Sequence, residues 1–400
     1  MSARQRLVLL WGADRGGDAV WDIVLLWTAA QAGSPQATAV ILAAGSIPPI
    51  IAPLFGGVIA EMTGSWRMLR CTSTLKVATA LAITLVLLFD ASWGWLAVLA
   101  AIMGLAEALH MAPLFALPAQ IKGHRDETSV QRFVNDTQAT GQAALLAATP
   151  LTGLILGWES AAAAAMCAAV LVGARLLLRA MALHVEAPPP RPREHEPALA
   201  MLRAGLRYAW DRPQVRAGLV TFAVANVCVT PVIMIGLPFH ALDVEWTPWM
   251  WGLVYGAYMG GGIVGPVASN SDRVKTSLAG AWLLLIPGAV GMGVTLSVSS
   301  PWAAAAGGLV AGACFQAGVA MTRGVILTAT EEGYRSRVQG LIGTSAYSLI
   351  AVSHLAFGTA LAAWSVSVLT WSLAAALSLF ALSMLLTARR ACGSPIHASH

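Results

Sequence analysis

Charged side chains are scarce in this chain of 400 residues. Asp, Glu, Lys and Arg together make up 11% of it, whereas 57% is hydrophobic and the mean hydropathy is +0.70. Ordinary soluble domains carry about 25% charged residues. Apolar stretches of roughly 20 residues, the length that spans a bilayer as a helix, follow one another from Leu7 to Leu386. The composition therefore excludes a soluble fold and predicts an all-α polytopic membrane protein.

Several other features are missing, and each absence excludes a class of protein. The five cysteines lie too far apart for a disulfide framework or a zinc site. The apolar runs are continuous and lack the alternating polarity of barrel strands. No phosphate-binding loop, zinc-binding helix motif or nucleophile elbow occurs. We therefore expect no enzyme, no metal or cofactor and no nucleic-acid partner. The first apolar run also lacks the small-residue cleavage site of a signal peptide, and we interpret it as a retained helix.

The apolar stretches predict twelve transmembrane helices in two sets of six. The first set covers about 7–31, 36–60, 68–90, 93–119, 129–157 and 160–183, and the second 215–241, 248–269, 276–298, 301–329, 336–362 and 365–388. This predicts a first half at 1–185, a linker at 186–214 and a second half with a short tail at 215–400. Two six-helix halves are typical of transporters whose halves rock around a central site.

The linker is rich in proline and arginine and contains an amphipathic segment from about 197 to 214. Leu199, Leu202, Leu206 and Tyr208 alternate there with arginines. Such a helix either lies in the membrane interface and supports the halves or has a regulatory role, and both interpretations remain open.

The basic residues test this topology independently, because Lys and Arg collect in cytoplasmic loops. They fall in alternate loops, whereas the intervening loops have no Lys or Arg and hold acids and tryptophans, such as Asp243 and Trp246. We expect a multi-pass protein of the bacterial inner membrane with both termini in the cytoplasm.

Several motifs resemble those of one transporter family. The segment Gly57-Val-Ile-Ala-Glu61-Met-Thr-Gly64-Ser-Trp-Arg67 resembles the loop signature of the major facilitator superfamily, with Glu61 in place of the usual Asp. The plain alternative is an ordinary basic cytoplasmic loop. Thr149-Pro150-Leu-Thr-Gly153 resembles the antiporter signature of the superfamily, with Thr149 in place of its leading glycine.

Further matches resemble one branch of this superfamily, the proton-driven efflux group that includes macrolide and enterobactin exporters. They are Leu10-Trp11-Gly12 followed by Gly17-Asp18, Asn135, the linker segment from Leu202 to Tyr208, and Arg335-Ser336-Arg337-Val338. The resemblance implies the twelve-helix major facilitator fold and a monomeric secondary transporter that exports a small molecule by proton antiport with alternating access. The implied substrates are a drug, a macrolide-like natural product or a siderophore, hence a role in multidrug resistance.

Acidic residues deep in the first and fourth helices are the main site candidates. A charge near the bilayer centre costs several kcal/mol on insertion scales, so Asp18, Asp22 and Glu107 need a function. Asp18, Asp22 and Arg15 share one helix face. If the superfamily architecture holds, both helices line the central cavity and the acids approach one another. Reversible protonation of these acids would couple transport to protons; the alternative for Asp18 is a fixed ion pair with Arg15.

Other intramembrane polar residues are weaker candidates. His110 shares a face with Glu107 and either relays a proton or is structural. Asn226, Gln316 and His354 either form interhelical hydrogen bonds or touch substrate, and Arg323 either snorkels to the interface or touches substrate. Lys76 is expected to pair with an acid such as Asp14 or Asp136. The glycine-rich stretch 260–265 predicts a close-packed helix seam.

Two rival functions remain. The first is proton-coupled or facilitated solute uptake, because a helix kinked at Pro150 would serve an importer as well as an exporter. The second is a non-transporting membrane sensor, although a pure scaffold has no need for buried acids. The small number of tyrosines, five, favours an amphipathic or lipophilic substrate over a sugar.

Overall fold

The computed structural model describes residues 3–31, 34–50, 64–89, 92–116, 127–182, 198–269, 277–331 and 349–393, with Val338, Leu341, Ile342 and Ser345 between the last two ranges. These residues form thirteen helices. They are α1 (Ala3–Gln31), α2 (Pro35–Ser46), α3 (Ser65–Leu88), α4 (Trp93–Ala116), α5 (Glu127–Leu156), α6 (Ser160–Met181), α7 (Ala198–Asp211), α8 (Pro213–Asp243), α9 (Pro248–Ser269), α10 (Leu278–Thr295), α11 (Pro301–Thr328), α12 (Ile350–Ala360) and α13 (Val366–Gly393). The all-helical prediction is confirmed.

Seven of these helices are long and apolar enough to cross a membrane: α3, α4, α6, α8, α10, α11 and α13. Shorter apolar helical stretches lie at Thr140–Leu156 and Ile350–Ala360. The first helix, with 29 residues, is long enough to cross a membrane. It is not among the seven because it carries four charged residues, Asp14, Arg15, Asp18 and Asp22. The multi-pass architecture is confirmed, and the count of twelve spans stays a prediction.

Helix α8 is interrupted by prolines. It is α-helical over Pro213–Pro231, π-helical over Val232–Gly236 and α-helical again over Leu237–Asp243. A proline inside a helix removes a backbone donor and clashes with the preceding turn, and Pro231 and Pro238 flank the wide turn. The π segment keeps the helix continuous across this disruption.

The helices before and after α7 repeat one packing pattern. In the first group α1 contacts α5 and α6, α3 contacts α4 and α6, and α2 contacts α4. In the second group α8 contacts α12 and α13, α10 contacts α11 and α13, and α9 contacts α11. The two groups meet through α5 against α9 and α2 against α12. The predicted limits of the two halves fall partly on residues 183–197, which lie outside the described part.

Contacts between helix ends define two sides of the bundle. Arg6 at the start of α1 donates to the Ala180 carbonyl near the end of α6, and we call this the terminus side. The other end is the far side, where Trp27 near the end of α1 meets Trp251 at the start of α9. The chain leaves α11 on the terminus side, where Glu331 pairs with Arg212.

The predicted glycine seam is confirmed. A β-carbon at Gly261 would overlap the backbone of Leu309, and one at Gly312 would overlap the backbone of Tyr258. Only glycine permits so close an approach of α9 and α11. This seam fixes the position of α9, which carries the face that meets the first group of helices.

Candidate functional site

The candidate site is built on one face of α1. Asp14, Asp18 and Asp22 follow one another at four-residue spacing, so they form a line along the helix. Gly17, on the same helix, has no room for a side chain, because a β-carbon there would lie 2.5 Å from Leu171 Cδ2 of α6. This close packing seats α1 inside the first group of helices and keeps its acids away from lipid.

Lys76 of α3 forms the buried centre of the site. Its Nζ lies 2.7 Å from Asp14 Oδ1 and 2.6 Å from Asp18 Oδ1. Lys76 is 0% exposed, Asp14 2% and Asp18 4%. A buried charge is tolerated when it is paired, and here one ammonium serves two carboxylates. The predicted pairing of Lys76 with Asp14 is confirmed.

His110 of α4 completes this buried centre. Its Nε2 lies 3.4 Å from Asp14 Oδ1 and its Nδ1 lies 2.7 Å from Thr72 Oγ1. The Thr72 contact is a hydrogen bond, whereas Nε2 is enclosed near Asp14 without a hydrogen-bond partner among the described residues. The Thr72 hydroxyl also reaches the Met68 carbonyl of its own helix. His110 is therefore held by Thr72 beside Asp14, and a role in proton relay stays a prediction.

Arg15 links the buried centre to a more accessible region. Its Nη1 lies 3.5 Å from Asp18 Oδ2 and 3.4 Å from Glu107 Oε1, and it donates to Met111 Sδ at 3.6 Å. The side chains of Arg15 and Glu107 are 26% and 34% exposed. The fixed ion pair of Arg15 with Asp18, which the sequence left open, is thus present, and Lys76 forms a second and shorter ion pair with the same carboxylate.

Asp22 is the accessible end of the line. Its side chain is exposed although its neighbours Trp21 and Ile23 are buried. Its carboxylate is close enough to Glu107 and Asp18 for electrostatic repulsion, and it also interacts electrostatically with Tyr255 of α9. Asp22 therefore lies on the side of α1 that is near α9, at the boundary between the two groups of helices.

The site contains more acids than bases. Among the described residues, Asp14, Asp18, Asp22 and Glu107 face two cations, Lys76 and Arg15. Four negative and two positive charges leave an excess of two negative charges when every acid is ionised. Desolvated like charges repel strongly, so the site favours an added proton or an added cation.

The candidates of the second group lie elsewhere. Asn226 Nδ2 donates to the Phe222 carbonyl of its own helix at 2.9 Å, and an interhelical hydrogen bond or a substrate contact of this residue stays a prediction. The four-residue spacing lets the amide reach the carbonyl of the preceding turn. His354 is buried against the backbone of Leu42 in α2. Gln316 and Arg323 are exposed, and Gln316 lies beside Gly262.

The antiporter-like motif of α5 lies on α9, across the boundary between the two groups. A β-carbon at Gly153 would lie 2.6 Å from the Pro248 carbonyl oxygen, and one at Gly252 would lie 3.2 Å from the Thr149 carbonyl oxygen. Pro150 lies opposite Gly256. The small residues therefore allow the two helices to meet backbone to backbone.

The loop signature is only partly described. Gly64 has a φ of 85° and precedes α3, a conformation that favours glycine. Arg67 is exposed in the first turns of α3. Gly57 and Glu61 lie outside the described residues. The side chain of Asp136, the other predicted partner of Lys76, is not described either.

Three site residues were missed by the sequence reasoning: Thr72, Tyr255 and, except as a partner of Lys76, Asp14. The repeat of aspartates every four residues was a signal for Asp14, since it extends the Asp18–Asp22 face by one turn. Nothing in the sequence singled out Thr72 or Tyr255, because both lie on other helices and join the site only through packing.

Comparison with known proteins identifies the family. A sequence model described as Major Facilitator Superfamily matches residues 19–354. No curated protein has a significantly similar sequence. The nucleoside transporter NupG has a similar structure at 10% identity and a TM-score of 0.76, covering 97% of this chain and 100% of that one. The POT family transporter PepTSo is similar at 12% identity and a TM-score of 0.72, covering 97% of this chain and 98% of that one. This chain belongs to the major facilitator superfamily.

Proposed function

We propose that this chain is a secondary active transporter that exports a small amphipathic or lipophilic molecule, preferably a cation, in exchange for protons. The observation that carries the proposal is the excess of carboxylates over cations around Arg15 and Lys76. Membership of a transporter superfamily supports transport, whereas export and proton antiport are inferred from the site and from the resemblance to the efflux branch.

The acids divide into two sets with different roles. Asp14 and Asp18 are held by Lys76 in a nearly inaccessible centre, so they serve as a fixed framework. Asp22 and Glu107 are accessible and close to one another, so only one added positive charge is needed to relieve their repulsion. A proton and a cationic substrate then compete for the same two carboxylates. Such competition produces exchange, because the site releases one ligand when it takes up the other.

Alternating access is supported by the packing on the far side. Trp27 and Trp251 pack with ring centroids 5.2 Å apart and ring planes tilted by 35°, beyond Asp22 along α1, and the Gly153 contact with Pro248 lies on the same side. We infer that these contacts close the far side beyond Asp22, so that Asp22 is reached from the terminus side. By the distribution of basic residues we assign the terminus side to the cytoplasm of a bacterial inner membrane, and we take the monomer as the transporting unit.

Proton-coupled solute uptake is the second candidate. The solved structures with the same fold include a nucleoside transporter and proton dependent oligopeptide transporters. The acid site serves uptake equally well, since a protonated pair of carboxylates also releases its protons to the less acidic side. A non-transporting sensor is less favoured, because a scaffold gains nothing from two accessible intramembrane acids.

The test uses everted membrane vesicles that carry a proton gradient and a pH-sensitive dye. Cationic drugs, macrolides and siderophores are added singly, and we expect protein-dependent proton release with at least one cation. Glu107→Gln and Asp22→Asn should abolish the response or flatten its pH dependence. Glu159→Gln is the matched control, because Glu159 is exposed at the start of α6 and makes no side-chain cap.

Three outcomes would count against the proposal. Transport that survives collapse of the proton gradient excludes antiport. An unchanged pH dependence in both acid variants removes the assigned site. Proton movement in the opposite direction, driven by inward substrate flow, favours uptake.

A further inference from the structure

A second polar site lies on the lipid-facing surface of the first group of helices. A groove of about 710 Å³ runs between α3 and α6 on the terminus side. Three arginines line it, Arg67 and Arg70 from α3 and Arg175 from α6. None of the acids of the candidate site takes part, so this groove is separate from the transport site.

The guanidinium groups of the groove are placed for an anion. Arg175 Nε donates to Thr74 Oγ1 at 3.1 Å, and Thr74 in turn donates to the Arg70 carbonyl at 2.8 Å. Arg175 lies close enough to Arg70 and Arg179 for mutual repulsion. Within the part of the chain that the structure describes, Arg175 Nη1 is enclosed without an acceptor, and no salt bridge joins Arg67, Arg70 or Arg175 to an acid. Three like charges held together favour a ligand with negative charge.

The groove continues into an apolar stripe. Leu75, Leu81 and Leu85 on α3 are 37%, 51% and 55% exposed, and Leu176 of α6 is 56% exposed. From Arg70 to Leu81 the helix rises by about 16 Å, close to half of the roughly 30 Å hydrocarbon core. A basic cluster at one end of an apolar stripe of this length matches a phospholipid, with its phosphate at the arginines and its acyl chains along the leucines. Free phosphate would contact only the arginines and would leave the exposed leucines uncovered.

We propose that the α3–α6 groove binds an anionic glycerophospholipid of the leaflet on the terminus side. Basic pockets between membrane helices are suited to acidic head groups, because each Lys or Arg near the surface contributes favourably. Trp66, at the mouth of the groove, is typical of the head-group level.

Cys71 makes the proposal measurable, because this exposed thiol lines the groove. Cys167 and Cys228 are buried, and Cys314→Ser with Cys392→Ser leaves Cys71 as the reactive thiol. The full chain is placed in nanodiscs of phosphatidylcholine with or without phosphatidylglycerol, and the rate of maleimide labelling is measured. We expect phosphatidylglycerol to slow the labelling several-fold. Arg67→Gln and Arg175→Gln should each weaken this protection by about fivefold.

The controls separate the site from general effects. Arg216→Gln removes an exposed charge outside the groove and should leave the protection intact. A Thr328→Cys thiol in a Cys71→Ser background reports the effect of a negative membrane surface alone. Inorganic phosphate added to phosphatidylcholine discs tests a free anion as the ligand. The proposal is overturned if phosphate protects Cys71 as well as the lipid does, or if phosphatidylglycerol slows the Thr328→Cys thiol equally. It is also overturned if the ratio of labelling rates without and with phosphatidylglycerol is the same in Arg67→Gln and Arg175→Gln as in the parent.

Discussion

At the scale of single residues, Lys76 is the position on which the site depends most. It is fully buried between Asp14 and Asp18, and removal of one partner from a buried ion pair costs roughly 3–5 kcal/mol. We expect Lys76→Met to lower the thermal unfolding midpoint strongly. Adding Asp14→Leu should restore much of the loss, because Asp18 keeps Arg15 as a partner at 3.5 Å. Equal instability of the single and double variants in detergent would point to packing instead of charge.

The hydrogen bond between Thr72 and His110 gives a second prediction at this scale. Thr72→Val leaves the buried His110 Nδ1 without its hydrogen-bond partner, which we expect to lower the free energy of unfolding by about 1–3 kcal/mol. Thr79→Val is the matched control, because Thr79 is buried on the same helix and bonds only the Leu75 carbonyl. Thermal unfolding of both variants measures the difference, and equal shifts would contradict the assigned contact.

At the scale of helices, the contact of α5 with α9 determines closure of the far side. Gly153→Val would overlap the Pro248 carbonyl, so we expect the two helices to separate there. An Asp22→Cys thiol, probed with an impermeant maleimide from the far side, should then label faster. Gly173→Val on α6 is the control, because a β-carbon at Gly173 meets nothing within 4 Å. Unchanged labelling in the Gly153 variant would show that another contact forms the seal.

At the scale of the whole molecule, the assignment of sides is the main expectation. Thr247 is exposed on the far side and Thr328 is exposed on the terminus side. In intact cells, Thr247→Cys should react with an impermeant maleimide, whereas Thr328→Cys should react only after permeabilisation. The reverse pattern would invert the topology and, with it, the leaflet assigned to the arginine groove.

Prediction from sequence succeeded for local features and for one long-range pair. Most helices start and end close to the limits that the apolar runs indicate, as in α9 at Pro248–Ser269, because a helix in lipid satisfies its own backbone hydrogen bonds. The exceptions are α2, which ends at Ser46 within the predicted run 36–60, and α12, which begins at Ile350 within the predicted run 336–362. The pairing of Lys76 with Asp14 was foreseen because a buried ammonium requires an acid. The hydrogen bond of Asn226 to the Phe222 carbonyl of its own helix was not foreseen.

The sequence by itself determined the membrane class, the helices, the superfamily resemblance and the acids of α1, since all of these depend on local composition and spacing. Tertiary structure alone decided that Lys76 serves two aspartates, that Thr72 and Tyr255 join the site, and that Asp22 and Glu107 remain accessible while Asp14 and Asp18 do not. It also brought Arg175 to Arg67 and Arg70 across the α3–α6 groove. The physical reason is that burial and charge pairing depend on which helix faces pack together, and side chains about a hundred residues apart meet only after that packing.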